Sequence, residues 1–388
     1  MKQTNKKLFL AISGISITLV FVIGILMLAQ PADSRKQSIL QSSADPTRGD
    51  DGTNLQVDAE QLVADYRVWA QYPPNSRPLL ESHQDVIDYK KIQTASQRMP
   101  VKVGVEFKDS GYSCLLDPKT HSVFQDEYMH IYLFCSRHGS REREPLRIQE
   151  VRLVGVSGDR KILPPPPTIK DDGTSGDQVA GDSIYTIEFR PRKEDWADMN
   201  LTVNFQIVSD GTLFTHSLAT HFFSSPQTPA RFTGQLSDKE QDGSLVVTVE
   251  LTVLTAGNYT IEANLMHGTD PIGYARKDAK LAVGKQTVEL LYYGKILRDR
   301  EFEGPYEVLG LRGSLSTDVI QPEDLARSPA EVERFLANIR SDRPNRMLIP
   351  YFDKTYKTAP YRLEQFSDRE YNSPEKEQRI ADLTSLQR

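Results

Sequence analysis

SLVVTVELTVLT, residues 244–255, is the stretch that decides how this chain folds. Leu245, Val247, Val249, Leu251 and Val253 recur at every second position, with Thr248, Glu250 and Thr252 between them. Successive side chains of a strand point to opposite faces, so this period marks a strand with one buried face. A helix would bunch its apolar residues at spacings of three and four. The same period runs through Met129, Ile131, Leu133 and Cys135, opposite Tyr128, His130, Tyr132 and Phe134.

Working outward, the pattern predicts one strand over 101–107, carried by Val101, Val103, Val105 and Phe107. It predicts others at 146–156, 183–190, 200–208 and 212–223, with Ser209-Asp210-Gly211 as a tight hairpin between the last two. That many short strands without a convincing helix describe a β-sandwich, assigned to 61–225 with its N-terminal lead-in. In the lead-in, Leu62, Val63, Tyr66, Val68 and Trp69 suit a short helix that Tyr72-Pro73-Pro74 stops, and 85–91 suits one more turn. After Ser225-Pro226 a second series follows: 244–255, 259–265 after the Gly257-Asn258 turn, 271–281, 287–293 and 306–311. It is read as a second sandwich over 226–315. In the remaining tail, 316–388, Ser328-Pro329-Ala330-Glu331 supplies an N-cap, Pro at N1 and Glu at N3 for a helix to about Arg340. Residues 341–372 read as irregular and tyrosine-rich, and Ser373-Pro374 opens a last helix carrying Ile380, Leu383 and Leu386. The aromatic residues Tyr351, Phe352, Tyr356, Tyr361, Phe366 and Tyr371 suit two uses, packing back on the chain's own sandwich, the favoured one, or wrapping a partner. The fold class is mainly β, with Ig-like sandwiches and a partly helical C-terminal tail.

The other end reads differently. Leu8 to Ala29, LFLAISGISITLVFVIGILMLA, holds 22 uncharged residues, enough at 1.5 Å each to cross a hydrocarbon core of about 30 Å. Residues 1–29 are therefore a cytoplasmic tip and a transmembrane signal anchor, with Lys2, Lys6 and Lys7 on the inner side and everything after Gln30 outside. The cleaved-signal alternative has poor sites, because Met27 and Gln30 occupy the −3 places before Ala29 and Ala32. Gly14 and Gly24 make no G-x-x-x-G face for dimerisation. Residues 30–60 are polar and aperiodic, a flexible stalk that contains Arg48-Gly49-Asp50. The expected location is the inner membrane, single-pass, with the C-terminal part periplasmic.

Composition narrows the function classes. Hydrophobic residues make up 38% and charged residues 26% of 388, which excludes a polytopic membrane protein and argues against wholesale disorder. The net charge is −6, and the chain beyond residue 29 carries −9, so no nucleic acid is expected as a partner. Two cysteines, Cys114 and Cys135, lie on predicted strands; outside the cytoplasm they suit a disulfide, and otherwise two small buried thiols. A zinc set of Cys114, His121, His130 and Cys135 lacks any C-x-x-C or H-x-x-x-H unit. There is no G-x-S-x-G, H-E-x-x-H, P-loop or G-x-G-x-x-G.

The stretch most suggestive of chemistry is DDGTSGDQVAGDSIY, residues 171–185. Asp171, Asp172, Asp177 and Asp182 alternate with Gly173, Gly176 and Gly181. Calcium takes six to eight oxygens at about 2.4 Å on a loop that bends sharply, which this composition offers, although the spacing is not that of an EF-hand. The other reading is an acidic turn whose Asp side chains bond their own backbone. No cofactor is required, and calcium is the one the residues suggest.

Residues 171–187, D-D-G-x-x-G-D-x-x-A-G-D-x-I-Y-x-I, resemble a motif of exported bacterial proteins of the "choice-of-anchor X" type. Gly257-Asn258-Tyr259-Thr260, Pro271-Ile272-Gly273-Tyr274-Ala275, Gly294-Lys295-Ile296-Leu297-Arg298 and Gly304-Pro305-Tyr306-Glu307-Val308 are similar to a module found in the same setting. The resemblance covers about residues 100–315. It implies immunoglobulin-like sandwiches behind a surface or membrane anchor in a bacterial envelope, and it brings no catalytic residues. The family pattern has Gly after the third acidic step, where this chain has Ser183.

Three functions follow as expectations. The first is a non-enzymatic, membrane-anchored scaffold or interaction module that meets an envelope protein partner. The second is a glycan or cell-wall binder, which needs exposed aromatic rings; the chain has only Trp69 and Trp196 of the largest kind. The third is a metal-dependent accessory enzyme using the acidic loop.

Overall fold

Alternating apolar rows form the inner faces of two sandwiches in the computed structural model, which describes residues 59–209, 212–317, 328–338 and 344–385. The expected membrane span, residues 30–58 of the stalk with Arg48-Gly49-Asp50, Asp210-Gly211 of the expected hairpin, Arg340 and Leu386 lie outside the described residues, whereas Ala59 and Glu60, expected in the stalk, begin a helix. Among the described residues no helix is long and apolar enough to cross a membrane. They divide into two compact units, a smaller one (59–71, 328–338 and 370–385) and a larger one (72–317 and 344–369).

The larger unit is mainly β. Its first strands are β1 (Ser76–Pro78), β2 (Gln97–Val103), β3 (Glu106–Pro118), β4 (Ser122–Phe124), β5 (Met129–Arg137), β6 (Leu146–Ser157), β7 (Arg160–Ile162), β8 (Thr168–Lys170), β9 (Tyr185–Phe189), β10 (Ala197–Ser209) and β11 (Thr212–Ser225). There follow β12 (Ala230–Gln241), β13 (Ser244–Val253), β14 (Gly257–His267), β15 (Asp270–Leu281), β16 (Gly284–Tyr292), β17 (Glu307–Ser316), β18 (Arg346–Phe352) and β19 (Tyr356–Lys357). Among the described residues the helices are α1 (Ala59–Trp69), α2 (Gln84–Ile87), α3 (Gly294–Arg300), α4 (Pro329–Asn338) and α5 (Pro374–Ser385).

Two five-stranded sheets, β2-β3-β5-β9-β8 and β4-β11-β10-β6-β7, make the first sandwich. Met129, Ile131, Leu133 and Cys135 of one sheet share a core with Met199, Leu201, Val203, Phe205 and Ile207 of the other, all fully buried. Cys114 on β3 stands directly opposite Cys135 on β5, and the two sulfurs are bonded at 1.96 Å with both residues inaccessible to solvent. The cysteines are thus a cross-strand disulfide, and no thiolate is left for a zinc set.

The expected strand over 101–107 is corrected. The chain reverses at Gly104-Val105, where Val103 pairs with Glu106 and Gly104 takes a positive φ of 66°. A two-residue hairpin with glycine at its first central position matches the strand twist. Lys102 pairs with Phe107, so Phe107 faces away from Val101, and Val105 and Phe107 are 94% and 73% exposed. Alternation passed unbroken through the turn and hid it.

The second sandwich packs a three-stranded sheet, β12-β13-β16, against a larger sheet, β1-β15-β14-β17-β18, with β19 also on β17. Leu245, Val247, Val249, Leu251 and Val253 of β13 are all inaccessible to solvent, as their period required. Three features depart from the expected organisation. Polar β12 was not foreseen; Asp242 (φ 53°) and Gly243 (φ 72°) turn it into β13 as a hairpin with both central residues left-handed. In the lead-in assigned to the first sandwich, β1 pairs instead with β15 of the second, and Leu79 packs there with Met266 and Tyr274. Within 341–372, expected to be irregular, β18 and β19 pair with β17, while Tyr361 and Phe366 enter the core. The tail strands therefore belong to the second sandwich, which extends past 315.

Side-chain and backbone contacts hold this returning segment. Asp238 on β12 accepts the hydroxyls of Tyr356 and Tyr361 and, at 3.2 Å, the backbone N–H of Ala359. The backbone N–H of Ser367 donates to the carbonyl of Gly243 at 2.8 Å. A Cβ at Gly294 would lie 1.8 Å from that same carbonyl, so only glycine fits there.

The smaller unit contains α1, α4 and α5, in which Val63, Val332 and Leu383 are buried. Both predicted N-termini are capped: Glu331 accepts the backbone N–H of Ser328 at 3.2 Å, and Ser373 Oγ accepts that of Lys376 at the same distance. The backbone N–H of Tyr371 donates to the carbonyl of Gln71 at 2.9 Å.

Removing the disulfide enlarges the unfolded ensemble, and for a loop of 21 residues the expected loss is about 3 kcal/mol. The Cys114→Ala/Cys135→Ala double variant should show this in urea unfolding, and reduction of the wild type should reproduce it. A loss under about 1 kcal/mol would mean that the apolar core alone holds the first sandwich.

Candidate functional site

The acidic loop joins the short edge strand β8 to β9 and is curled by a succession of left-handed residues. Gly173, Ser175, Gly176, Gly181 and Ser183 take φ values of 75°, 50°, 92°, 71° and 63°. Glycine adopts this conformation freely, whereas an L-residue costs about 1–2 kcal/mol there. Ser183 keeps a backbone conformation that glycine would favour. Gly176 lies against the ring of His130, where a Cβ would be 2.4 Å from Nε2.

Of the four aspartates singled out from the sequence, the structure brings three together. Oxygens of Asp171, Asp177 and Asp182 lie within 4.8 Å of one another. Asp172 is apart from the set; it accepts the N–H of Thr174 at 2.9 Å and its hydroxyl at 2.7 Å. Each of the three carboxylates also bonds the backbone: Gly181 N–H to Asp171 Oδ1 at 3.0 Å, Gly173 N–H to Asp177 Oδ2 at 2.6 Å, and Ile184 N–H to Asp182 Oδ1 at 2.9 Å. The loop is thus an Asp-stabilised turn that also draws three carboxylates together.

The electrostatics follow from this crowding. Burial raises the pKa of the Asp171 carboxyl above its ordinary value, and the charges of Asp177 and Asp182 add to the rise against the Gly181 N–H. Asp172, held by Thr174, moves the other way. Because Asp171 is raised, its contribution to stability is full below the ordinary carboxylate pKa of about 3.9 and is lost as pH rises through the folded value. At neutral pH the metal-free loop holds mutually repelling charges, which a divalent cation would offset.

Sequence reading missed the neighbours. The hydroxyl of Thr186, which is fully buried, lies 3.5 Å from Asp177 Oδ1. His130 Nε2 lies 3.2 Å from Glu188 Oε2, and Lys170 Nζ lies 3.6 Å from the other oxygen of Glu188. His130 belongs to the outward row of β5, which the loop overlies there, whereas Lys170 on β8 and Thr186 and Glu188 on β9 carry no local signal. Of the two tryptophans, Trp69 is exposed on α1, whereas Trp196 packs against the second core and donates its indole N–H to Arg346 O at 3.1 Å.

Ser183→Gly should raise stability by about 0.5–1 kcal/mol, the relief of left-handed strain less the added entropy of glycine, as measured by thermal or urea unfolding. For the carboxylates, Asp171→Asn should raise the melting temperature of metal-free protein at neutral pH. Calcium should raise the wild-type value by about 2–4 °C, corresponding to ~1 kcal/mol, and should do so less in Asp177→Asn. Equal melting temperatures with calcium and with chelator would reduce the loop to a turn.

No family description matches the chain, and no curated protein matches it. A crystal structure of a DUF4785 family protein from Legionella pneumophila subsp. pneumophila is similar, at 13% identity and a TM-score of 0.38. That likeness covers 53% of this chain and 53% of that one, so it spans about half of the neighbour's length.

Proposed function

We propose that this chain is a membrane-tethered envelope protein that holds two β-sandwiches outside the cytoplasm to engage a protein partner, without catalysis of its own. The buried Cys114–Cys135 disulfide carries this reading, because such bonds persist in oxidising compartments and are rare in the cytosol. The uncharged run 8–29 with three lysines before it supports the same placement. So does the resemblance to choice-of-anchor X type proteins, whose sandwiches stand behind anchors. The second sandwich, assembled from chain on both sides of the first, makes the larger unit suited to presenting loops and hairpin tips. Val105 and Phe107 at the β2–β3 tip are such a presented apolar surface.

Alkaline phosphatase fused after residue 388 should be active in cells, and the fusion should stay with membranes through a carbonate wash. Crosslinking of tagged full-length protein should then recover one stoichiometric protein partner. An inactive fusion would overturn the placement, and recovery of wall glycan alone would turn the reading to glycan binding.

A further inference from the structure

Strand β18 belongs by pairing to the second sandwich, yet its side chains and free edge grip the first. Trp196 donates its indole N–H to Arg346 O at 3.1 Å, and the Arg346 guanidinium lies 4.9 Å from the centre of the Phe223 ring. The backbone N–H of Leu348 donates to Ser225 Oγ at 2.9 Å. The Tyr351 ring meets Phe124 and Tyr89 edge-on, each at 5.3 Å between centroids. Its hydroxyl lies 2.7 Å from Ser122 Oγ and 2.9 Å from His121 Nε2. Lys90 pairs with Asp353 just beyond.

The proton arrangement within this contact follows from its partners. His121 Nδ1 is 3.3 Å from the carbonyl of Lys90, which can only accept, so Nδ1 carries the hydrogen. Nε2 is then an acceptor, Tyr351 donates to it, and the Tyr351 oxygen accepts from Ser122. We propose that this contact is an acid-sensitive latch, in which protonation of His121 loosens the hold of β18 on the first sandwich. A protonated His121 donates from both nitrogens, so Tyr351 must turn its hydrogen to Ser122. The Ser122 hydroxyl, almost fully buried, then has to become an acceptor and find another place for its own hydrogen.

The surrounding charges oppose a cation here. Arg312 from β17, Arg346 from β18 and Lys90 from the segment after α2 are positive; Asp353 beyond β18 is paired with Lys90, while Asp126 and Glu127 follow β4. Burial, with Arg346 and Arg312, holds His121 below the ordinary histidine range. Tyr351 and Tyr89 are pushed up to about 12, chiefly by burial, and stay neutral throughout. With the folded pKa of His121 lowered, the latch is fully made above about pH 6.5 and is lost as pH falls through the folded value.

Trp196 reports the latch directly, because its N–H is bonded to β18. The full chain in detergent, carrying Trp69→Phe to silence the other indole, should show Trp196 emission moving to the red between about pH 7.5 and about pH 5. Far-UV circular dichroism should stay unchanged. Tyr351→Phe should be red-shifted at both pH values, His121→Gln should lose the pH response, and His216→Gln should keep it. Overturning results are an emission that ignores pH, a response that survives His121→Gln, or one abolished by His216→Gln. If Tyr351→Phe fails to fold, Ser122→Ala should raise the midpoint of the transition, and an unmoved midpoint would also overturn the latch.

Discussion

Pairing between β17 and β18 is the constraint on which the larger unit depends. It brings a strand from near the C-terminus into the main sheet of the second sandwich. The opposite side of the same strand bonds the first sandwich through Leu348, Arg346 and Tyr351. A strand edge carries unmet N–H and C=O groups that favour any extended partner, and here the chain's own tail satisfies them. The aromatic residues that follow β18 are thereby committed to packing, as Tyr361 and Phe366 show in the core.

Close approach of backbones is the second organising element. Gly243 ends a left-handed turn, its carbonyl accepts Ser367, and Gly294 passes it without room for a Cβ. Asp238 adds three acceptor contacts to the same returning segment. Main-chain bonds and one half-buried carboxylate therefore hold a segment whose composition suggests a loop. Hydrogen bonds of this sort contribute modestly one by one, but leaving their groups unpaired would be costly.

The acidic loop shows a different balance. Backbone N–H groups satisfy the three carboxylates one oxygen at a time, which builds the turn, while the turn brings like charges close enough to raise Asp171. Local hydrogen bonding wins over repulsion in shaping the loop, because each bond acts at contact distance and, while Asp177 is buried, Asp171 and Asp182 remain partly solvated. The result is a hydrogen-bonded turn that gathers the carboxylates of Asp171, Asp177 and Asp182.

Much of the architecture is legible in the amino-acid sequence. The inner rows at 129–135 and 245–253, the caps at Ser328 and Ser373, and the convergence of acidic residues around glycines follow from period, capping chemistry and composition, all of them local properties. Asp172 was indistinguishable from its neighbours by composition, and only the loop path set it aside. The turn at Gly104-Val105 escaped because a two-residue hairpin does not interrupt alternation, and β12 escaped because its outer face is polar, although Asp242-Gly243 announced its hairpin. The mainly β character, two separate cores and cysteines placed on strands were determined by sequence alone, since each rests on residues within a few positions of one another. Tertiary structure alone decided that β1 and β18 complete the second sandwich, that Cys114 faces Cys135, and that His121 meets Tyr351. Those pairings join residues far apart along the chain, and their energy arises only when burial brings complementary edges and side chains together.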